Sequence, residues 1–292
     1  MSRIRVDYDE KAELAARAAS AERVSIDRER PMPVESGAAY GFLTDATLCI
    51  GCKACEVACK QWNQLPADSF SGPLDLTGFS YDNTVDLGAT TWRHVAFVER
   101  EEPAGVAWLM LSDVCKHCVH AGCMDACPTG AIIRSEFGTV VIQDAVCNGC
   151  GYCIPACPFG VPQLDHHDGG SHKCTLCYDR LQGGLQPACA KSCPTESIRF
   201  GLVDDLRAEG QARVEVLRDQ GVDAYFYGDE SLGGTGGIGG LNAMFVLNAP
   251  PDVFNLPAQP KLPRNNVKPA ATGALATAAC FLAVAAIVFR RR

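Results

Sequence analysis

The chain has 292 residues, is 47% apolar and carries a formal net charge of −8, so it can bury a core and has no basic block in its globular part. That balance argues against nucleic acid as a partner. Its 17 cysteines leave three explanations: disulfides, structural zinc or iron–sulfur clusters.

Residues 1–40 read as an N-terminal extension mixing Glu, Asp and Arg with short apolar stretches. No continuous apolar segment of secretory type is expected there, which weighs against disulfides. The first cysteine group follows, Cys49, Cys52, Cys55 and Cys59, spaced C-x2-C-x2-C-x3-C with Lys60 next. Residues 92–99 (WRHVAFVE) are predicted as a strand. The second group is Cys115, Cys118, Cys123 and Cys127, followed by Pro128. His117 and His120 lie within it and are expected beside the cysteines or at the surface, not as ligands. Residues 131–134 (AIIR) and 139–143 (TVVIQ) are predicted to pair across a turn near Phe137 and Gly138.

The third group, Cys147, Cys150, Cys153 and Cys157 followed by Pro158, repeats the first spacing. His166, His167 and His172 then fall in a polar loop and are expected to be solvated. The fourth group is Cys174, Cys177, Cys189 and Cys193, followed by Pro194, with eleven residues between its second and third members. Residues 204–220 are predicted as a helix, with Asp204 as N-cap and Gly221 as the stop. Residues 228–240 form a glycine-rich loop, expected to be flexible. It matches G-x-G-x-x-G at Gly234, Gly236 and Gly239, but a strand (241–247) and prolines follow where a dinucleotide site needs a helix. Contact with a neighbouring subunit is the expectation for this loop. Residues 250–269 are proline-rich and expected to be extended.

The tail from 270 to 289 is twenty residues without a charge, ending in Arg290, Arg291 and Arg292. That length can cross roughly 30 Å of hydrocarbon as a helix, so a single membrane anchor is expected. Cys280 inside it reads as a small apolar residue. Lys261, Arg264 and Lys268 at one end balance the three arginines at the other. Proximity favours the arginine end inside and the globular part on the extracytoplasmic face, with the cytoplasmic face as the alternative.

Spacing decides among the metals. Cysteines three apart in a turn are better placed to share a metal than to cross-link distant segments. The run C-x2-C-x2-C-x3-C-P is the bacterial ferredoxin pattern, in which three thiolates hold one cluster and the fourth reaches its mate. Zinc needs only two C-x2-C pairs per site and does not call for such triplets. Gly51 and Gly149, in Cys-x-Gly-Cys turns, allow close backbone approach to a cluster. The four groups form an internal repeat, the second and third making one two-cluster unit inside a second unit made by the first and fourth. The crossed rule then predicts four 4Fe–4S sites. Set one is Cys49, Cys52, Cys55 and Cys193, and set two is Cys59, Cys174, Cys177 and Cys189. Set three is Cys115, Cys118, Cys123 and Cys157, and set four is Cys127, Cys147, Cys150 and Cys153. The fold class expected is α+β: two interleaved ferredoxin-like two-cluster units plus one C-terminal transmembrane helix. The expected domains are an extension over 1–40, the double ferredoxin unit over 41–203 with its inner part at about 110–165, a region of helix, loop and linker over 204–268, and an anchor over 269–289. No catalytic constellation is read, so the chain is expected to carry electrons and to leave the chemistry to a partner.

From about Leu43 onward the chain resembles the iron–sulfur β subunits of respiratory, membrane-bound formate dehydrogenases of the N type. The resemblance is carried by LCIGCKACEVACKQWN (48–63), CNGCGYCIPACPFGVPQL (147–164) and HKCTLCYDRLQGGLQPACAKSCPTESIRFG (172–201), with the glycine-rich loop and the tail. It implies a catalytic α subunit with a molybdenum or tungsten pterin centre that oxidises formate, and a membrane cytochrome b subunit that receives the electrons for quinone. Equivalent subunits serve dimethyl sulfoxide, polysulfide, tetrathionate and nitrate reductases and some hydrogenases, and such a relay is the alternative. A structural zinc protein is the remote one.

Overall fold

The cysteine groups fall in loops and short helices, and the short apolar segments between them pair into strands. The computed structural model describes residues 34–66, 82, 86–102, 105–234 and 237–290. Most of the expected N-terminal extension, part of the glycine-rich loop (Thr235 and Gly236) and the last two arginines lie outside the described residues.

Strand β1 (Tyr40–Asp45) leads into the first group, whose Cys55 and Cys59 sit on helix α1 (Ala54–Asn63). β2 (Arg93–Glu102) and β3 (Gly105–Val114) pair antiparallel, with Val95 opposite Ser112 and Phe97 opposite Met110. The strand expected at 92–99 is therefore half of a hairpin. The second group includes the short helix α2 (Gly122–Asp125) and runs into the hairpin β4 (Ile132–Arg134) and β5 (Val140–Ile142), where it was expected. α3 (Cys153–Ala156) lies in the third group, and β6 (Gln163–Leu164) pairs with β7 (Ser171–His172). The fourth group spans α4 (Tyr178–Gln182) and α5 (Ala188–Lys191). β8 (Ile198–Leu202), α6 (Val203–Asp219), β9 (Tyr225–Tyr227) and β10 (Ala243–Leu247) complete the globular part.

The largest sheet has the order β8-β1-β10-β9. β1 runs parallel to β10 and antiparallel to β8, and every residue of β1 and β10 is buried. Strands covered on both faces carry no alternation, which is why YGFLTD gave no strand signal. α6 packs on this sheet through Leu206, Gly210, Val214 and Leu217, one stripe at helical spacing. A Cβ on Gly210 would lie 2.4 Å from the Phe226 ring and 2.9 Å from Leu43, so only glycine lets the helix sit this close.

Two local expectations need correction. Asp204 is not the N-cap of α6: Leu202 holds that position, Asp204 lies in the first turn, and the Val203 N–H donates to the Ala39 carbonyl at 2.9 Å. A backbone acceptor from the segment ahead of β1 takes the place of a side-chain cap. The proline-rich segment is not uniformly extended, since Pro251–Phe254 and Pro263–Asn266 form 3-10 turns with proline in the first turn of each. Leu256 and Leu262, both between these turns, are buried, so the segment is pinned to the globular part.

α7 (Val267–Arg290) takes in the uncharged run together with Lys268 and Arg290. The span Pro263–Arg290 has a mean hydropathy of 2.2 over its most apolar window and none of that window is buried. Leu275 is 71% and Phe281 72% exposed, which excludes a core helix of the globular part. Twenty-four residues make a rod about 36 Å long, enough for one membrane crossing.

Candidate metal centre

Strand pairing brings the cysteine groups together. β4 begins five residues after Cys127 and β5 ends five residues before Cys147, so the hairpin sets the second and third groups side by side. The outer groups repeat this arrangement. β8 begins five residues after Cys193, β1 ends four before Cys49, and Thr44 pairs with Ile198. That pairing joins residues about 150 positions apart, a closure no local pattern announces.

Three cavities among the described residues are lined by cysteines. The first, of about 340 Å³, is bordered by Cys115, Cys118, Cys123 and Cys157. The second, of about 280 Å³, is bordered by Cys127, Cys147, Cys150 and Cys153. The third, of about 300 Å³, is bordered by Cys49, Cys52, Cys55 and Cys193. The remaining four predicted cysteines are close neighbours: burial pushes Cys59 well up, and the charges of Cys174, Cys189 and Cys177 add to the rise. Cys280 stands apart, exposed on α7.

The sets also adjoin one another in a row. Burial pushes the Cys55 thiol up to about 11, with Arg93 opposing and Cys189 of set two adding to the rise. Burial, then Cys115 of set three and Cys189, push Cys174 up to about 12. Cys123 reaches about 12 through burial, opposed by Lys173, with Cys153 of set four among the charges that raise it. The order along the row is thus one, two, three, four. All four cysteines of set two are buried, whereas Cys52 of set one and Cys150 of set four are exposed.

Donors surround the sulfurs. Ser112 Oγ lies 3.2 Å from Cys55 Sγ, and Ser171 Oγ lies 3.1 Å from Cys153 Sγ, so the third cysteine of the first and third groups has an equivalent buried serine. Thr129 and Thr195, each two residues after the last cysteine of its group, approach Cys127 and Cys193 at 3.7 and 3.8 Å. Backbone N–H groups of Ser171 and Leu176 donate to Cys147 and Cys174 at 3.4 and 3.3 Å. Asn63 Nδ2 reaches Cys59 Sγ at 3.6 Å. Burial raises Cys127, but the Thr129 hydroxyl and the N–H groups of Ile132, Thr129 and Ala131 outweigh it and hold the thiol below its ordinary value. These donors suit an anionic, sulfur-rich group.

The glycine expectations have a geometric basis. Gly149 has φ +69°, and a Cβ there would lie 2.0 Å from the Gly169 carbonyl oxygen. Gly51 has φ +66°, and its Cβ would lie 2.7 Å from the Phe97 ring and 2.8 Å from Met110 Sδ.

Of the histidines, His117 is buried and accepts the Val140 N–H on Nδ1 at 3.0 Å, while His120 is exposed. Burial, with Lys173, Arg134 and Arg93 nearby, holds His117 well below its ordinary value and therefore neutral. His172 is a correction to the solvated reading. It lies in β7, partly buried, with Nε2 2.8 Å from Asp168, because the hairpin folds Asp168 back over it. The described part of the glycine-rich loop packs on its own chain, with the His120 and Val119 N–H groups donating to the carbonyls of Ile238 and Gly240.

Charged residues that the sequence did not flag are buried among the cysteines. Lys173 Nζ donates to the carbonyls of Val140 and Cys174. Arg93 is 1% exposed, and its Nη1 donates to Ser112 Oγ at 3.0 Å. Burial acts to lower the Arg93 pKa, but the charges of Cys189, Cys55, Cys174 and Cys59 outweigh it and push the guanidinium up. Nothing in a local pattern singles out an arginine at the start of a strand. The threonines carried a weak signal, since Cys-Pro-Thr ends both the second and the fourth group.

A 4Fe–4S group fits these residues on three counts. The donors are thiols in fours, the cavities are small and partly enclosed, and the buried Nε and Nη2 of Arg93 and Nε2 of His117 have no partner among the described residues. Bare thiolates at such burial are costly unless a metal holds them.

Two models of the 4Fe–4S dicluster domain match the sequence, over residues 48–131 and 106–203. The chain is 41% identical over 224 residues to the formate dehydrogenase iron–sulfur subunit of Haemophilus influenzae, covering 75% of this chain and 69% of that one. It is equally identical to the formate dehydrogenase-O iron–sulfur subunit of Escherichia coli, covering 75% and 71%. The B subunit of the anaerobic dimethyl sulfoxide reductase of Escherichia coli is 39% identical over 169 residues, 58% of this protein and 76% of that one.

Proposed function

Because the protein belongs to the family of formate dehydrogenase iron–sulfur subunits, we propose that it is the electron relay of a membrane-bound formate dehydrogenase. In this reading a catalytic subunit with a molybdenum or tungsten pterin oxidises formate to carbon dioxide, and a cytochrome b-type membrane subunit passes the electrons to quinone. Four 4Fe–4S clusters, when bound, supply one-electron carriers between the two. The proposed ligands are the four sets: Cys49, Cys52, Cys55, Cys193; Cys59, Cys174, Cys177, Cys189; Cys115, Cys118, Cys123, Cys157; and Cys127, Cys147, Cys150, Cys153. The proposed organisation keeps the inner unit, about 110–165, inserted in an outer unit over 41–203.

The observation that carries this reading is the row of cysteine sets. Set two, inside the row, is wholly buried, and the set at each end has an exposed cysteine, as a conductor with two terminals requires. The protein's residues hold the irons by thiolate, keep water from the inner sets and set hydrogen bonds on the sulfurs. α7 anchors the relay beside its electron acceptor, with the globular part on the extracytoplasmic face.

Anaerobic purification of the complex from native membranes tests the proposal. The sample is expected to be brown, and formate alone is expected to bleach its broad visible band. A brown sample that ignores formate but bleaches with dithionite would assign the relay to another donor. A colourless sample would return the cysteines to zinc.

A further inference from the structure

Arg93 begins β2, and Val95 two residues on is paired with Ser112 of β3. Residues 93 and 112 are therefore diagonal neighbours on one face of the hairpin. The side chain is 1% exposed and stacks over the Phe42 ring with its guanidinium carbon 4.8 Å from the centroid. Nη1 donates to Ser112 Oγ at 3.0 Å and to the Ser112 carbonyl at 3.4 Å. Ser112 Oγ is in turn 3.2 Å from Cys55 Sγ, which makes a continuous path from guanidinium to thiol.

The other donors are the anomaly. Nε and Nη2 are buried, and among the described residues they have no hydrogen-bond partner and no carboxylate forms an ion pair with Arg93. A buried cation with neither counter-ion nor full hydrogen bonding is strongly unfavourable. The groups whose charge acts on it are Cys189, Cys55, Cys174 and Cys59, members of sets one and two.

We propose that Arg93 is a positioning residue shared by the two outer-unit sites, its unpartnered Nε and Nη2 bonding to the clusters held there and its charge raising both their reduction potentials. The inference rests on the relay reading. Reduction adds one negative charge to a cluster, and a fixed cation in a medium of low dielectric favours that more negative form. Ser112 carries part of the effect to Cys55 alone. The sites of sets three and four have other buried donors, Lys173 and His117, and none of their cysteines is among the charges that act most on Arg93.

The experiment is an anaerobic redox titration of the intact complex, followed by electron paramagnetic resonance, with iron and sulfide content measured on each sample. In Arg93→Gln, two clusters are expected to titrate at lower potential than in wild type while the others stay in place. Arg93→Lys, which keeps the charge, is expected to restore most of the shift. Ser112→Ala is expected to lower one of the same two potentials and to keep full iron content, and it reads the path even where the glutamine variant assembles poorly. Unchanged potentials in Ser112→Ala and in an iron-replete Arg93 variant would overturn the inference, as would an equal shift of every cluster. A wild-type complex without 4Fe–4S signals would overturn the relay reading, and this inference with it.

Discussion

At the scale of single residues, burial makes several of the proposed ligand thiols resist ionisation. Cys55 stands at about 11 and Cys174 at about 12, mainly through burial, against an ordinary value of 9.0. At neutral pH the iron-free chain therefore carries thiols here, and each iron that binds must displace protons. The sign follows: a raised thiol pKa makes loading weaker as pH falls and stronger as it rises. Anaerobic reconstitution of the iron-free chain with ferric iron, sulfide and a thiol reductant is expected to give more charge-transfer absorbance at about pH 8.5 than at about pH 7, in the direction this proton release demands. Equal yields at both would mean that the thiols are not the groups being titrated. The four cysteine groups were readable from the sequence because the spacing within each is local. Ser112 and Ser171 were not, because each approaches a cysteine from a different strand.

At the scale of elements, glycine sets how closely backbone and helix can approach. Gly210→Ala would place a methyl 2.4 Å from Phe226 and 2.9 Å from Leu43 between α6 and the main sheet. It is expected to destabilise the globular part by about 1–3 kcal/mol, read as a lower denaturant midpoint with the visible spectrum unchanged. Gly149→Ala is expected to damage the site of set four instead, since the methyl would meet the Gly169 carbonyl and φ is +69°. Its measured signature is a loss of iron and sulfide from that site in the purified complex. The hairpin of β4 and β5 was readable, because its two β-rich runs are joined by a short turn at Gly138. β3 was missed although its burial alternates in part along GVAWLMLSDV, and β1 and β8 were missed because neither alternates and their pairing is distant.

At the scale of the whole molecule, the proposed relay divides its labour between the row of cysteine sets, which would conduct, and the exposed helix α7, which would anchor. α7 has no buried residue, whereas Leu262 just before it is fully buried near Gly122. A variant truncated after Asn266 is therefore expected to leave the membrane fraction yet keep its brown colour and iron content. Retention of that shortened protein in membranes by itself, with its partner subunits absent, would mean that α7 is not the anchor. Loss of iron on truncation would mean that the helix supports the fold.

Alone, the sequence determined the chemistry of the ligands, the repeat that relates their groups and the long apolar tail, since each is written in spacing or composition over a few tens of residues. Only the tertiary structure decided how the sets follow one another, which serines approach the sulfurs and where Arg93 is buried. Those depend on strands that meet across as much as about 150 positions, and the contacts made there leave no local period to read.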